Sequence, residues 1–219
     1  MQATDAKPFS LEDFRPFLKS LEGSEGEAAV IGGMAVASWA EKLLHQEERR
    51  EFDLPIYSKD LDLRGTRPIC IMLAGMMQLD GAELTGLAAA TRKEAPHMGK
   101  IHAAGMRWRG HRTTVEVLER LPGLDTSADE APRGTHLKLW GGIPILDPCS
   151  LCICKLHAAN SRPGEGANND MMHLRILVRV IPRFLVNPTW RTGRRKWLFL
   201  RFCDAGSLDF PRGRRQNGL

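Results

Sequence analysis

Apolar and polar positions recur with two different periods along this chain, and the changes of period mark its elements. Leu11, Phe14, Leu18 and Leu21 fall at helical spacing behind Ser10, with Asp13 three residues on as a capping acid, which predicts a helix from Ser10 to Leu21. Pro16 stands against it, because a proline inside a helix removes one hydrogen bond and crowds the preceding turn. Gly23-Ser24-Glu25-Gly26 then ends the segment. Ala28 to Ile31 is a short apolar run that passes through Gly32-Gly33 into a helix expected to reach about His45. Glu47 to Asp53 is mostly charged and is expected to be a linker.

The period then shortens to two. Ile56 to Arg64 reads as a strand that turns Asp60 and Asp62 to one face and Leu61 and Leu63 to the other. A helix between Ile69 and Leu79 is expected to line the core with Met72, Met76 and Met77. Lys100 to Trp108 and Arg112 to Leu121 read as a hairpin turned at Arg109-Gly110-His111, with Glu116 set between Val115 and Val117. Leu137 to Trp140 and Ile143 to Leu146 predict two short strands around Gly141-Gly142. Asp147 can cap a helix with Pro148 in its first turn, running to about Asn160. A loop over residues 161–166 leads to a further helix from about Asn168 to Val180, and Lys196 to Phe202 is apolar enough to pack back as helix or strand.

Composition narrows the class. At 219 residues, 42% hydrophobic and 26% charged, the chain suits one domain or a compact domain with a smaller appendage. Its five cysteines are odd in number and mostly sit in apolar segments, and no apolar leader precedes them. Reduced thiols in the cytoplasm are therefore expected. No apolar run approaches the roughly 18 residues that a membrane span requires. Cys149, Cys152, Cys154 and His157 invite a zinc reading, but a regular helix turns the first two one way and the last two elsewhere, so buried thiols are expected instead. His97, His102, His111 and His136 have no partner at an interpretable spacing.

The net charge of +5 is unevenly placed: eleven Arg or Lys residues from Arg175 onward stand against Asp204 and Asp209 alone. A basic end of this kind suits a polyanion such as RNA. Pro211 to Gly218 hold nothing that could form a core, and the end of the chain reads as a solvated tail.

Chemistry enters with the carboxylates. Asp60 and Asp62 side by side repel one another, and a bound cation relieves the repulsion; hard oxygen donors suit Mg2+, completed by substrate phosphates. The glycine pair at a strand-to-helix junction lets a phosphate approach the backbone at a helix N-terminus. Glu116 supplies a third acid from a later strand.

Together these segments resemble the nucleotidyltransferase superfamily with the DNA polymerase beta-like fold, whose pattern is a glycine-rich helix start, then Ser/Thr-x-Asp-x-Asp, then a third acid on a later strand. Here those positions read Gly32-Gly33, Ser58-Lys59-Asp60-Leu61-Asp62 and Glu116. Within it the chain is most similar to the abortive-infection toxin type, on Leu146-Asp147-Pro148, the helix bearing Lys155, and Asn169-Asp170. The resemblance implies an α+β fold, with a mixed-sheet nucleotidyltransferase core over 1–146 and a smaller, mainly helical region with a basic tail over 147–219. It implies transfer of a nucleoside monophosphate from a nucleoside triphosphate to an acceptor hydroxyl. Two Mg2+ ions would be held by Asp60, Asp62 and Glu116, and the nucleotide by Gly32, Gly33, Ser58, Lys155 and Asp170. RNA, such as a tRNA 3′ end, is the implied acceptor and an antitoxin protein an implied partner. The alternatives are a small hydroxylated acceptor of the aminoglycoside type, and a nucleotide- or RNA-binding module without turnover, suggested by Met34 after the glycine pair and by Asn169-Asp170-His173.

Overall fold

A computed structural model of the chain describes residues 9–22, 28–52, 57–58, 60–91, 99–121, 123–124, 136–139, 142–161 and 165–186. Helix α1 (Leu11–Leu18) and a 3-10 turn precede β1 (Ala29–Val30), α2 (Gly32–Leu43), α3 (Gln46–Glu51), β2 (Asp60–Arg64) and α4 (Arg67–Leu79). Then come β3 (Glu83–Thr91), β4 (Lys100–Trp108), β5 (His111–Leu118), β6 (His136–Leu139), β7 (Ile143–Leu146), α5 (Pro148–Ser161) and α6 (Glu165–Val186). The described strands form one mixed sheet in the order β3-β4-β5-β2-β1-β7-β6, so the fold is α+β.

Local chemistry explains most of these boundaries. Asp13 accepts hydrogen bonds from the Ser10 backbone N–H at 2.9 Å and hydroxyl at 2.7 Å, fixing the start of α1. Pro16 does not break the helix, because Phe14, Phe17 and Leu18 are buried around it and tertiary packing outweighs the lost bond. The β4–β5 hairpin turns on Arg109 and Gly110, both at positive φ (48° and 80°), the backbone a two-residue hairpin turn needs. Helix α2 is buried on every residue from Met34 to Ala40, so it is a core helix apolar all round. The Trp39 indole N–H donates to the Leu146 carbonyl at 2.7 Å, and its ring packs edge-on against Phe184, joining α2 to the end of β7 and to α6.

Several expectations change. Residues 46–51 form a helix, not a linker, because Arg183 and Arg179 of α6 reach its acids: Arg183 bridges Glu48 at 2.7 and 3.1 Å, and Arg179 lies 3.5 Å from Glu51. Of the three methionines expected in the core, Met77 is fully buried, whereas Met72 and Met76 are only partly buried against it. Strand β3 was not anticipated. Strand β2 begins at Asp60, with Ser58 ahead of it in an isolated bridge to Phe9, and α6 extends past both expected ends. The expected segment Lys196–Phe202 and the basic tail lie outside the described residues. Among the described residues no helix is long and apolar enough to cross a membrane.

Candidate active site

The site is built where β1 hands over to α2. Strand β2 runs antiparallel to β1, with Val30 opposite Leu63, and the Ile31 N–H donates to the Asp62 carbonyl at 3.0 Å. On its other side β2 pairs in parallel with β5, Asp60 opposite Thr114 and Asp62 opposite Glu116. Register partners share a face of a sheet, so Asp60, Asp62 and Glu116 lie on one side. Burial marks the two faces: Leu61, Leu63, Val115 and Val117 are fully buried, while Asp60 is exposed and Asp62 and Glu116 are half-buried. The carboxylates therefore occupy the face that solutes can reach.

Gly32 closes the third side. Its φ is +67°, and a Cβ there would fall 2.9 Å from the Asp62 Cβ and in collision with its carboxyl. Only glycine lets the first turn of α2 lie this close to the acid. The helix N-terminus thus sits against Asp62, with its amide groups and partial positive charge beside the carboxylates. Met34, two residues on, is 1% exposed and belongs to the core.

Ser58 stands ahead of the two aspartates. Its hydroxyl accepts the Asp60 N–H at 3.1 Å, and backbone bonds to Phe9 in both directions, at 2.8 and 2.9 Å, hold it in place. A hydroxyl that accepts a bond keeps its hydrogen for a second partner.

The donor set fits a hard divalent cation: three carboxylate side chains on one accessible face, two of them directly opposite one another. In the structure's own side-chain positions, no three His, Cys, Asp or Glu groups among the described residues converge on a single point. The backbone nonetheless brings these acids to neighbouring positions on β2 and β5.

Lys155 and Asp170 are placed differently. The Lys155 ammonium lies 2.7 Å from the Asp170 carboxylate, and the two side chains are only 14% and 3% exposed between α5 and α6. Strand β7 runs parallel to β1 with Ile145 opposite Val30, so α5 and α2 start at the same end of these two strands. Lys155 is about 10 Å up that helix from its first residue. His173, on α6, is buried with them. Burial, with Lys155 nearby, pushes its pKa down to about 4, and among the described residues its Nδ1 has no hydrogen-bond partner.

Burial raises the Cys152 thiol to about 11 and Cys154 to about 12, and pushes Cys149 higher still, so none is a ready thiolate. Of the eleven basic residues from Arg175 onward, Arg179 and Arg183 are engaged with the acids of α3, and eight follow residue 186.

No protein-family model matches the chain, and no curated protein matches it. Two solved structures align with it. The polyadenylate synthase of a Megavirus aligns over 94% of this chain and 46% of that one, at 11% identity and a TM-score of 0.49. The antibiotic-resistance factor ANT(2'')-Ia, in a solution structure, aligns over 89% of this chain and 92% of that one, at 10% identity and a TM-score of 0.43. The chain spans less than half the length of the first of these. Likenesses so distant carry no functional inference.

Proposed function

We propose that the chain is a Mg2+-dependent nucleotidyltransferase that moves a nucleoside monophosphate from a nucleoside triphosphate to an acceptor hydroxyl. The observation that carries this reading is the pairing of Asp62, which lies against the Gly32 turn, with Glu116 across β2 and β5. Asp60, Asp62 and Glu116 would hold the ions. When bound, Mg2+ supplies the charge that acidifies the acceptor hydroxyl and neutralises the triphosphate.

The chain's own groups do the rest. Amides of the Gly32-Gly33 turn hold the phosphates at the start of α2, and the Ser58 hydroxyl donates to one of their oxygens. Glu116 takes the proton from the acceptor hydroxyl. The acceptor oxygen bonds to the α-phosphorus, the bond from that phosphorus to the bridging oxygen breaks, and pyrophosphate leaves. Lys155 meets a phosphate only by exchanging its contact with Asp170, so in this reading the pair is first an anchor between α5 and α6. Residues 1–146 would carry the chemistry and 147–219 the helical half.

For the acceptor we propose RNA, because eleven Arg or Lys residues from Arg175 onward stand against two acids, an imbalance that suits a polyanion. A toxin role with an antitoxin partner follows from the sequence resemblance alone. The test presents each α-labelled nucleoside triphosphate, with Mg2+, to total tRNA and to an aminoglycoside panel. Label in RNA supports the reading. Label in the small molecules moves the acceptor class, and nucleotide binding without transfer favours the module without turnover.

A further inference from the structure

Strand β3 ends the sheet on one side, and every one of its nine residues, Glu83 to Thr91, is exposed on both faces of the sheet. Helix α4 packs on β4 and β5 but reaches β3 only at its margin. Edge strands of this length are ordinarily blunted by lysine, proline or a covering element, since their outward N–H and C=O groups invite another strand. Between Leu84 and Thr91 there is no charge and no proline. The one irregularity is a register shift between Leu84 and Gly86, which leaves Gly86 to Thr91 in regular pairing with β4. Leu84 and Leu87, partners of Met106 and Ala104, lie on the α4 side of the sheet and are 42% and 47% exposed; Leu79, at the end of α4, is 91% exposed.

The charges flanking this stretch choose the partner. Glu83 opens the strand, and Arg92-Lys93 follow it in sequence. Such a strand is complementary to itself when antiparallel: a copy turned through a two-fold axis normal to the sheet brings the acidic start of each strand alongside the end of the other, after which the sequence turns basic. Because register partners share a face, one residue of the strand pairs with its own copy across that axis. Centred on Leu87, the pairing brings the two Leu87 side chains together and sets Leu84 of each copy near the centre of the same apolar patch. An isologous contact of this kind consumes both edges and stops at two chains.

We propose that β3 is a homodimer interface, through which a second copy of this chain extends the sheet by antiparallel β3–β3 pairing. The contact is independent of the carboxylate site and leaves its face open.

The test is the mass of the full chain in solution, by sedimentation equilibrium over a range of micromolar concentrations. The wild type is expected at twice the mass of one chain. Leu87→Lys, at an already exposed position, sets like charges across the axis and should raise the dimer dissociation constant at least about tenfold, with the circular dichroism spectrum unchanged. Glu83→Lys should also weaken the dimer, and adding Arg92→Glu with Lys93→Glu should restore it. A monomeric wild type across the whole range, or a dimer that none of these changes weakens, overturns the proposal.

Discussion

Asp62 and Glu116 stand directly opposite one another on neighbouring parallel strands, although the whole of α4, β3 and β4 separates them in the chain. Like charges in this position destabilise a sheet by roughly 0.2–1 kcal/mol. A bound cation would reverse the sign of that term. Thermal unfolding should therefore respond to Mg2+: at about a hundred times its Kd the ion adds about 2.7 kcal/mol to the wild type. The same titration of Asp62→Asn should give a much smaller shift, as read by differential scanning fluorimetry.

Gly32 has no room for a side chain. Gly32→Ala combines a positive φ, which costs about 1–2 kcal/mol in an L-residue, with a methyl group driven into the Asp62 carboxyl. Urea unfolding should show at least that loss. Transfer activity should fall further than stability does, because the displaced group is a carboxylate of the site.

The Lys155–Asp170 pair separates architecture from nucleotide binding. Removing one member of a buried ion pair leaves the other uncompensated, so Lys155→Met should lower stability by about 3–5 kcal/mol. The double variant Lys155→Met with Asp170→Leu should recover most of it in chemical denaturation. A Lys155→Met protein that keeps its stability but raises the KM for the triphosphate would instead place this lysine on the substrate.

His173 gives the chain a pH dependence. Its pKa falls from 6.5 to about 4 on folding, through burial and then Lys155, with Asp170 opposing. Between those values the unfolded state holds more protons, so stability rises with pH. The contribution is complete above pH 6.5 and is lost as pH falls toward 4, by up to about 3 kcal/mol. Denaturation midpoints measured across that window should slope accordingly, and His173→Leu should flatten the slope.

The sequence is most legible where local chemistry sets structure. Ser10 with Asp13, the alternation from Asp60 to Arg64 and the Arg109-Gly110 turn each have a local cause, and their elements fall where the pattern puts them. Strand β3 is not legible in the sequence, because Gly86 and Ala88-Ala89-Ala90 are poor strand formers and an edge exposed on both sides needs no alternation. Helix α3 has no apolar stripe and so reads as a linker in sequence; its partners Arg179 and Arg183 come from a distant segment of the chain. The pairing of β2 with β5 is equally non-local. Sequence nominated Asp60, Asp62 and Glu116 separately, but nothing in it gives their register. Nor could it show that Lys155 and Asp170 face each other, because the α5–α6 packing decides that.

In the proposed reaction the paired acids carry out the transfer. Its most direct measurement is the rate of label transfer from an α-labelled nucleoside triphosphate to tRNA, with Mg2+, by the wild type, Asp62→Asn and Glu116→Gln. The wild type should transfer label, and each variant should fall by roughly a hundredfold or more while keeping its circular dichroism spectrum. Transfer surviving within a few-fold in either variant, or a folded wild type that transfers no label from any of the triphosphates, would contradict it.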